Sequence, residues 1–448
     1  MARRDSAQAS GCSRRTLVWA LVGTLVGLAA CGLLVWALLR DRAPASPQAV
    51  TPSSREMTLR VACTPEKRDL FQALATAFNE SRPRLESGKR VRVEAVELAA
   101  DRMVEQAGEN LFQAVSPDSS IWLEEMDRLW RQERDDAEVW LVGESTRYMV
   151  SPVVIAMWRD VAESLGYPDR ELGWKDLLDA ASRDPGFKWS HPSPSTASGL
   201  LATLAAFYAG SGVTRGLTEE QATAQTTLDY VRRLEATVKH YGEGELAVMR
   251  QIEAQGRAYL DAFVVPEQLV LQYNLNHVDK LLAIYPLEGT LWQDHPLALL
   301  EHPDRTDEER QAYTLFKAYL LSPEVQRRVL AEGYRPADLS IPLDADGSPI
   351  NVANGVDPKQ PHTTLQVPSP AVIQVVKNVW WYTKRQANVY LVADTSGSMT
   401  GRKLQDAQAA LQLFIEQIEG PEERVGLISF ADRAYERVPL TRMREGRE

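Results

Sequence analysis

The chain has 448 residues, 44% hydrophobic and 25% charged, which is enough for two or three globular domains and excludes a mainly disordered protein. Its 61 acidic side chains exceed 50 basic ones for a net charge of −11, so a concentrated basic face, and with it a nucleic-acid partner, is not expected.

Residues 1–15 carry Arg3, Arg4, Arg14 and Arg15 against the single acid Asp5, and no residue from Thr16 to Leu39 is charged. A run of about 20 apolar residues spans a bilayer as a helix, and arginines before it stay in the cytoplasm. The expectation is therefore a cytoplasmic tail (1–15), a transmembrane helix (16–39) that anchors the chain in the cell membrane, and everything after Asp41 outside. A second reading stays open: Leu28-Ala29-Ala30-Cys31 fits a lipobox, and cleavage before Cys31 would leave a lipid anchor, although Gly32 to Leu39 remains apolar where a mature start should turn polar. Cys12 then precedes the anchor, Cys31 lies in it and Cys63 alone is outside, so no intrachain disulfide is expected. Residues 40–56 are rich in Pro, Ala and Ser and read as a tether.

Residues 57–355 form the large middle region. Met57 to Cys63 has a strand pattern, a helix with Leu70, Phe71, Leu74 and Phe78 on one side follows, Val91 to Leu98 alternates as a second strand, and a helix starts near Asp101. Alternating β and α segments predict a mostly parallel sheet with helices on both faces. Tyr148 to Trp158 reads as a strand leaving this first lobe, which predicts lobe 1 over about 57–150 and 283–350 and lobe 2 over about 151–282. Within lobe 2, Trp189 to Gly210 brings Ser193, Ser195, Thr196 and Ser198 to the start of an Ala/Leu-rich helix. Hydroxyls and free N–H groups there can cap the helix or bind a ligand oxygen, and both readings remain open.

Together with Tyr285-Pro286-Leu287-Glu288-Gly289-Thr290, Asp294-His295-Pro296, the helix around Phe316 to Gln326 and Gly333-Tyr334-Arg335-Pro336, this region resembles bacterial extracellular solute-binding proteins of the molybdate and sulfate type. The resemblance implies two α/β lobes closing over a small polar or anionic ligand. It implies Ser195, Thr196 and Ser198 as ligand-binding residues, joined by Thr64 and Ser120 from the first lobe. Cys63 stands beside Thr64 where the family often has a hydroxyl pair. The six histidines show no metal spacing and read as surface or strand-end residues, and neither G-x-S-x-G nor G-x-x-x-x-G-K-[ST] occurs, so an enzyme is not expected.

Frequent prolines from Pro336 to Pro370, then a helix from about Ala371 to Lys384, make residues 356–386 a connector, with Trp380 and Trp381 as a packing ridge between domains. Residues 387–448 open with the apolar strand Val389 to Ala393, which delivers Asp394, Ser396 and Ser398 to a Gly-containing loop. Leu404, Ala407, Leu411, Phe414, Ile415 and Ile418 recur at helical spacing, and Arg424 to Phe430 reads as a second strand, a βαβ unit. The three side chains are oxygen donors of the kind hard cations prefer. Asp394-Thr395-Ser396-Gly397-Ser398 resembles the first segment of the metal-ion-dependent adhesion site of von Willebrand factor A domains, which implies the first part of a doubly wound, Rossmann-like α/β domain. It also implies Mg²⁺, or Mn²⁺ or Ca²⁺, held by Asp394, Ser396 and Ser398. In that family a Thr and an Asp from later loops complete the site, and the sequence ends at Glu448 before either, so the expected site is incomplete and weak.

The function these residues predict is a bacterial, membrane-anchored extracytoplasmic protein for binding or adhesion, meeting a protein partner through a divalent metal. The alternative is a transport-linked receptor that captures a small-molecule ligand in the middle region.

Overall fold

A computed structural model describes residues 55–134, 138–418 and 420–446. The expected membrane helix at Thr16–Leu39, the tail before it and Cys31 lie outside the described residues, among which no helix is long and apolar enough to cross a membrane. Cys63, the described cysteine, is buried and free.

The first lobe is built on β1 (Glu56–Cys63), β2 (Arg90–Glu97), β3 (Ala114–Ser116) and β4 (Val142–Arg147). β1 runs parallel to both β2 and β3, in register from Glu56↔Arg90 to Cys63↔Glu97 and from Val61↔Ala114 to Cys63↔Ser116. Alternation along β1 explains why both faces are covered: Leu59, Val61 and Cys63 pack against Phe71, Leu74 and Phe316, while Ala62 turns to a second core with Met103, Trp122 and Met126. β5 (Met149–Trp158) follows β4 after Tyr148 and enters the second lobe, as the sequence indicated.

There β6 (Trp189–Pro192), β7 (Tyr241–Gly242), β8 (Ala262–Pro266), β9 (Leu281–Ile284) and β10 (Trp292–Gln293) assemble with β5. β6 is parallel to β7 and β8, but β5 is antiparallel to β8, β9 and β10, so this sheet is mixed where a mostly parallel one was expected. The cause is the entry of β5: it comes straight across from the first lobe with no helical crossover, the connection that parallel neighbours require. The lobe limits move as well. Residues 281–293 belong to the second lobe; the chain regains the first with β11 (Pro296–Leu300), antiparallel to β3 and β4, and returns at β12 (Arg335–Pro336), which pairs with β5.

Arg335 fixes that return. Its guanidinium meets buried Glu267 at 2.8 and 2.6 Å and donates to the carbonyls of Gln360 (2.6 Å) and Asp357 (3.2 Å), which ties the connector to the second lobe. The helix Pro370–Thr383, capped by Ser369 with Pro370 in its first turn, buries Val372, Ile373, Val376 and Trp380 on this lobe. After it, β13 (Asn388–Asp394) pairs parallel with β14 (Arg424–Phe430), which pairs antiparallel with β15 (Ala434–Arg442). The intervening helix, Arg402–Glu416, turns the expected residues inward, but Leu404, Ala407, Leu411 and Ile415 are only half-buried and Phe414 is exposed. In this segment Val425 and Met443 are the large apolar side chains that are buried among the described residues.

Candidate functional site

The ends of the parallel strands set the site. β1 stops at Cys63 and leads into Thr64 and the turn Pro65–Lys67; β3 stops at Ser116 and leads through Asp118 to the helix Ile121–Arg134. From the second lobe, β6 leads through Ser195 and Thr196 into the helix Ala197–Ser211, and β7 leads through Gly244 into the helix Glu245–Gln255. Loops at the carboxyl ends of strands are where open α/β sheets gather ligands. Here they enclose a cavity of ≈ 360 Å³ between the lobes, lined among others by Thr64, Glu66, Asp118, Trp122, Thr196 and Glu245.

Of the five hydroxyl residues expected from sequence, the structure brings Thr64, Ser195 and Thr196 to this cavity. Thr196 caps its helix, accepting from the Gly199 amide at 3.2 Å and donating to the Ser193 carbonyl at 3.0 Å. Ser198 is not on the lining: it is fully buried and donates to Glu245 Oε2 at 2.6 Å. Ser120 is not on it either, its amide being held by Asp294 Oδ1 at 2.7 Å. The loop is tight. A Cβ on Gly199 would stand 2.0 Å from the Ser193 carbonyl oxygen, so only glycine lets the helix start so close to the preceding chain.

The carboxylates were not read from sequence. Asp118, buried, accepts from Trp122 Nε1 at 2.9 Å and from Gln293 Nε2 at 3.2 Å, and Glu66 accepts the Thr64 hydroxyl. Burial raises the Asp118 carboxyl well above its usual range, with Glu66 and Glu245 adding to the effect; burial likewise raises Glu66, opposed by Lys67 and reinforced by Glu245. Lys67 is buried behind the cavity, donating to the Pro117 carbonyl at 2.5 Å and lying 3.3 Å from His295 Nδ1. Burial, then Lys67, push His295 well below the usual imidazole range, so the ring is neutral at physiological pH. His295 and His191 are both buried, which corrects the surface reading of the histidines.

His191 belongs to a second polar cluster, centred on Glu235 at the end of the helix Gln225–Glu235. Its carboxylate accepts the Tyr241 hydroxyl at 2.8 Å and Trp380 Nε1 at 3.2 Å, and lies 3.3 Å from His191 Nε2. The next residues complete the path to the terminal segment: the Arg385 amide donates to the Tyr241 hydroxyl at 3.0 Å, Lys384 pairs with Glu423, and the Ala387 amide donates to Glu423 at 2.5 Å. Trp380 and Trp381 stack edge to face at 5.0 Å, the ridge expected at this junction.

In the terminal segment Asp394, Ser396 and Ser398 share one loop at the carboxyl end of β13. The Ser396 amide donates to Asp394 Oδ1 at 2.8 Å, the two serine hydroxyls lie 3.0 Å apart, and the hydrogen bonds from Ser396 hold the Asp394 carboxyl below its usual range. A half-buried carboxylate with two neighbouring hydroxyls fits the oxygen preference of Mg²⁺, Mn²⁺ or Ca²⁺.

Comparison with known proteins agrees with this architecture. The family profile of bacterial extracellular solute-binding proteins matches residues 59–335, and that of the von Willebrand factor type A domain matches residues 389–447. No curated protein matches the chain. Among solved structures, a periplasmic thiamin binding protein is similar with a TM-score of 0.51 at 12% identity over 74% of this chain and 96% of that one. The sulfate-binding protein SubI from Mycobacterium tuberculosis H37Rv (TM-score 0.44, 20% identity, 64% and 88% covered) and iron-bound HitA from Pseudomonas aeruginosa (0.47, 15%, 73% and 98%) are also similar. At such identities the likeness concerns the fold.

Proposed function

The chain belongs to the bacterial extracellular solute-binding proteins and carries a von Willebrand factor type A segment after the binding domain, and we propose that it captures a small solute between its lobes, outside the cytoplasm, while the terminal segment meets a protein partner. The observation that carries the reading is the cavity of ≈ 360 Å³, to which both lobes contribute strand-end loops. That volume falls in the range of about 300–1,000 Å³ usual for small-molecule sites. The role we propose is binding, in keeping with the solute-binding family whose profile matches residues 59–335. A charge-free Thr16–Leu39 would anchor the chain as a single span, or Cys31 as a lipidated residue.

In the terminal segment, Asp394, Ser396 and Ser398 would hold Mg²⁺, Mn²⁺ or Ca²⁺. Such an ion, when bound, supplies a coordination position for a carboxylate of the partner. Thermal-shift screening of the full chain in detergent tests the solute reading, because free solute at about 100 times Kd adds roughly 2.7 kcal/mol of stability. Failure of every solute class to raise Tm would overturn it.

A further inference from the structure

We infer that the solute of this cleft is an organic cation, its amine seated among the carboxylates of Glu66, Asp118 and Glu245 and against the indole of Trp122. The inference rests on the reading of the inter-lobe cavity as the solute site and adds the sign of the ligand's charge. Against Glu66, Asp101, Asp118, Glu243 and Glu245 the lining sets the exposed Arg250. Among the described residues, none of Glu66, Asp118 and Glu245 has a Lys, Arg or His nitrogen within 4.0 Å. Lys67, buried behind them, acts on Glu66 and Asp118 only through space, its nitrogen being turned to the Pro117 carbonyl and His295.

The hydroxyls decide against an oxyanion. Thr64 directs its proton to Glu66, Ser198 to Glu245 and Thr196 to the Ser193 carbonyl, so three hydroxyls expected to donate to a ligand already donate to the protein. The Gly199 amide at the helix start is taken by Thr196. Donors remain on the walls at the Ser195 hydroxyl and at the uncapped helix starts after Ala99 and Gly244, but the side chains there are mostly acidic. Behind Asp118 and off the lining, Gln293 is fully buried and donates to Asp118 while its own Oε1 lacks any donor, so no further positive partner reaches Asp118 from that side. An anion placed here would meet unpaired negative charge, whereas an ammonium supplies the missing donors and the missing charge together.

A metal ion is the weaker fit in this cavity, since no group of three or more His, Cys, Asp and Glu among the described residues is arranged to hold one. Trp122 also lines the cavity, and an indole is a side chain that can attract an organic ammonium. Burial of three like charges also explains why the carboxyls of Glu66 and Asp118 are held above their usual range.

The test is thermal shift, then calorimetry, on the full chain in detergent with three probe classes: amines (putrescine, spermidine, choline, arginine), oxyanions (sulfate, molybdate, phosphate) and neutral sugars (glucose, ribose). At least one amine should raise Tm, and Glu245→Gln or Asp118→Asn should weaken it about tenfold or more, the loss of one charged hydrogen bond. Without ligand, Glu66→Gln with Glu245→Gln should raise Tm, because it removes unpaired like charge; a fall in Tm with retained circular dichroism would overturn the inference. Binding of an oxyanion or a sugar with no amine binding would overturn the charge assignment and leave the solute reading standing. No shift by any class would overturn both.

Discussion

Glu235→Ala is the perturbation that most directly probes how the terminal segment is held. Glu235 is 1% exposed, and its carboxylate accepts from Tyr241 at 2.8 Å and from Trp380 at 3.2 Å. Burial, then the charge of Glu235, hold the Tyr241 hydroxyl far above its usual range, so it stays protonated and needs an acceptor. Alanine leaves both donors buried without one, at about 1–3 kcal/mol each, and opens space where the side chain stood, so the total is about 3–5 kcal/mol. A loss of 1 kcal/mol lowers Tm by roughly 2–4 °C in a domain of 150–250 residues, so a fall of about 6 °C or more is expected. Hydrogen exchange should locate the damage in the helix Pro370–Thr383, because Trp380 is its link to Glu235. Glu235→Gln keeps one carbonyl acceptor and should lose about half as much. An unchanged Tm together with unchanged protection of residues 370–383 would refute the reasoning.

Glu267→Ala should cost about 3–5 kcal/mol, because it leaves the buried Arg335 charge without its partner; combining it with Arg335→Met should recover part of that loss, read by chemical denaturation. The Cys63 thiol is pushed up to about 12 by burial, so it should resist iodoacetamide at neutral pH until the chain unfolds, as peptide mass spectrometry would show. Its folded value lies above the unfolded one, so its contribution to stability is complete below about pH 8.5 and is lost as pH rises toward the folded value. For the terminal segment, Mg²⁺ titration by calorimetry should give weak binding, no tighter than about millimolar, since three oxygens from one loop leave much of an octahedron to water. Asp394→Ala should abolish it, and micromolar affinity that survives the substitution would remove Asp394 from the metal site.

What was legible in the sequence is what is encoded contiguously. Asp394, Ser396 and Ser398 follow a strand by a few residues, so one local pattern fixes strand, loop and donor set, and the structure keeps all three on one loop. The turn from β6 into the helix Ala197–Ser211 was visible for the same reason. Glu66, Asp118 and Glu245 were not, because one sits in a turn, one in a loop and one at a helix start, far apart in sequence, and each looks alone like an ordinary surface acid; only the meeting of the lobes brings them to one cavity. The two hydroxyls that fell away show the converse limit. Ser198 follows the capping residue by two positions, which turns it into the helix interior against Glu245, and spacing along the chain does not report that direction. Helix Arg402–Glu416 was legible in its period, but Phe414 is exposed and its other expected residues are half-buried: periodicity tells which residues share a face, not how much sheet lies there to cover them.

The way the terminal segment is attached constrains how solute binding can reach it. The helix Pro370–Thr383 rests on three helices of the second lobe, Ala197–Ser211, Glu219–Thr223 and Gln225–Glu235, and Glu423 receives both Lys384 and the Ala387 amide just beyond its end. The segment is thus joined first to the second lobe. Its relation to the first lobe runs across a gap of ≈ 240 Å³, with Trp122 and Arg128 on one side and Pro370, Ile373 and Lys377 on the other. Trp122 also lines the solute cavity and is bonded to Asp118, so one side chain faces both spaces. A solute that bridged Asp118 to Glu245 would set the separation of the lobes, and Trp122, which lines both spaces, is where that would be felt in the gap. Such a solute can favour one placement of the connector helix over another only by the difference in its contacts between them. If the solute is held as inferred above, those contacts would lie at Glu66, Asp118 and Glu245, and Glu245→Gln would change hydrogen exchange in residues 370–383 only in the presence of solute.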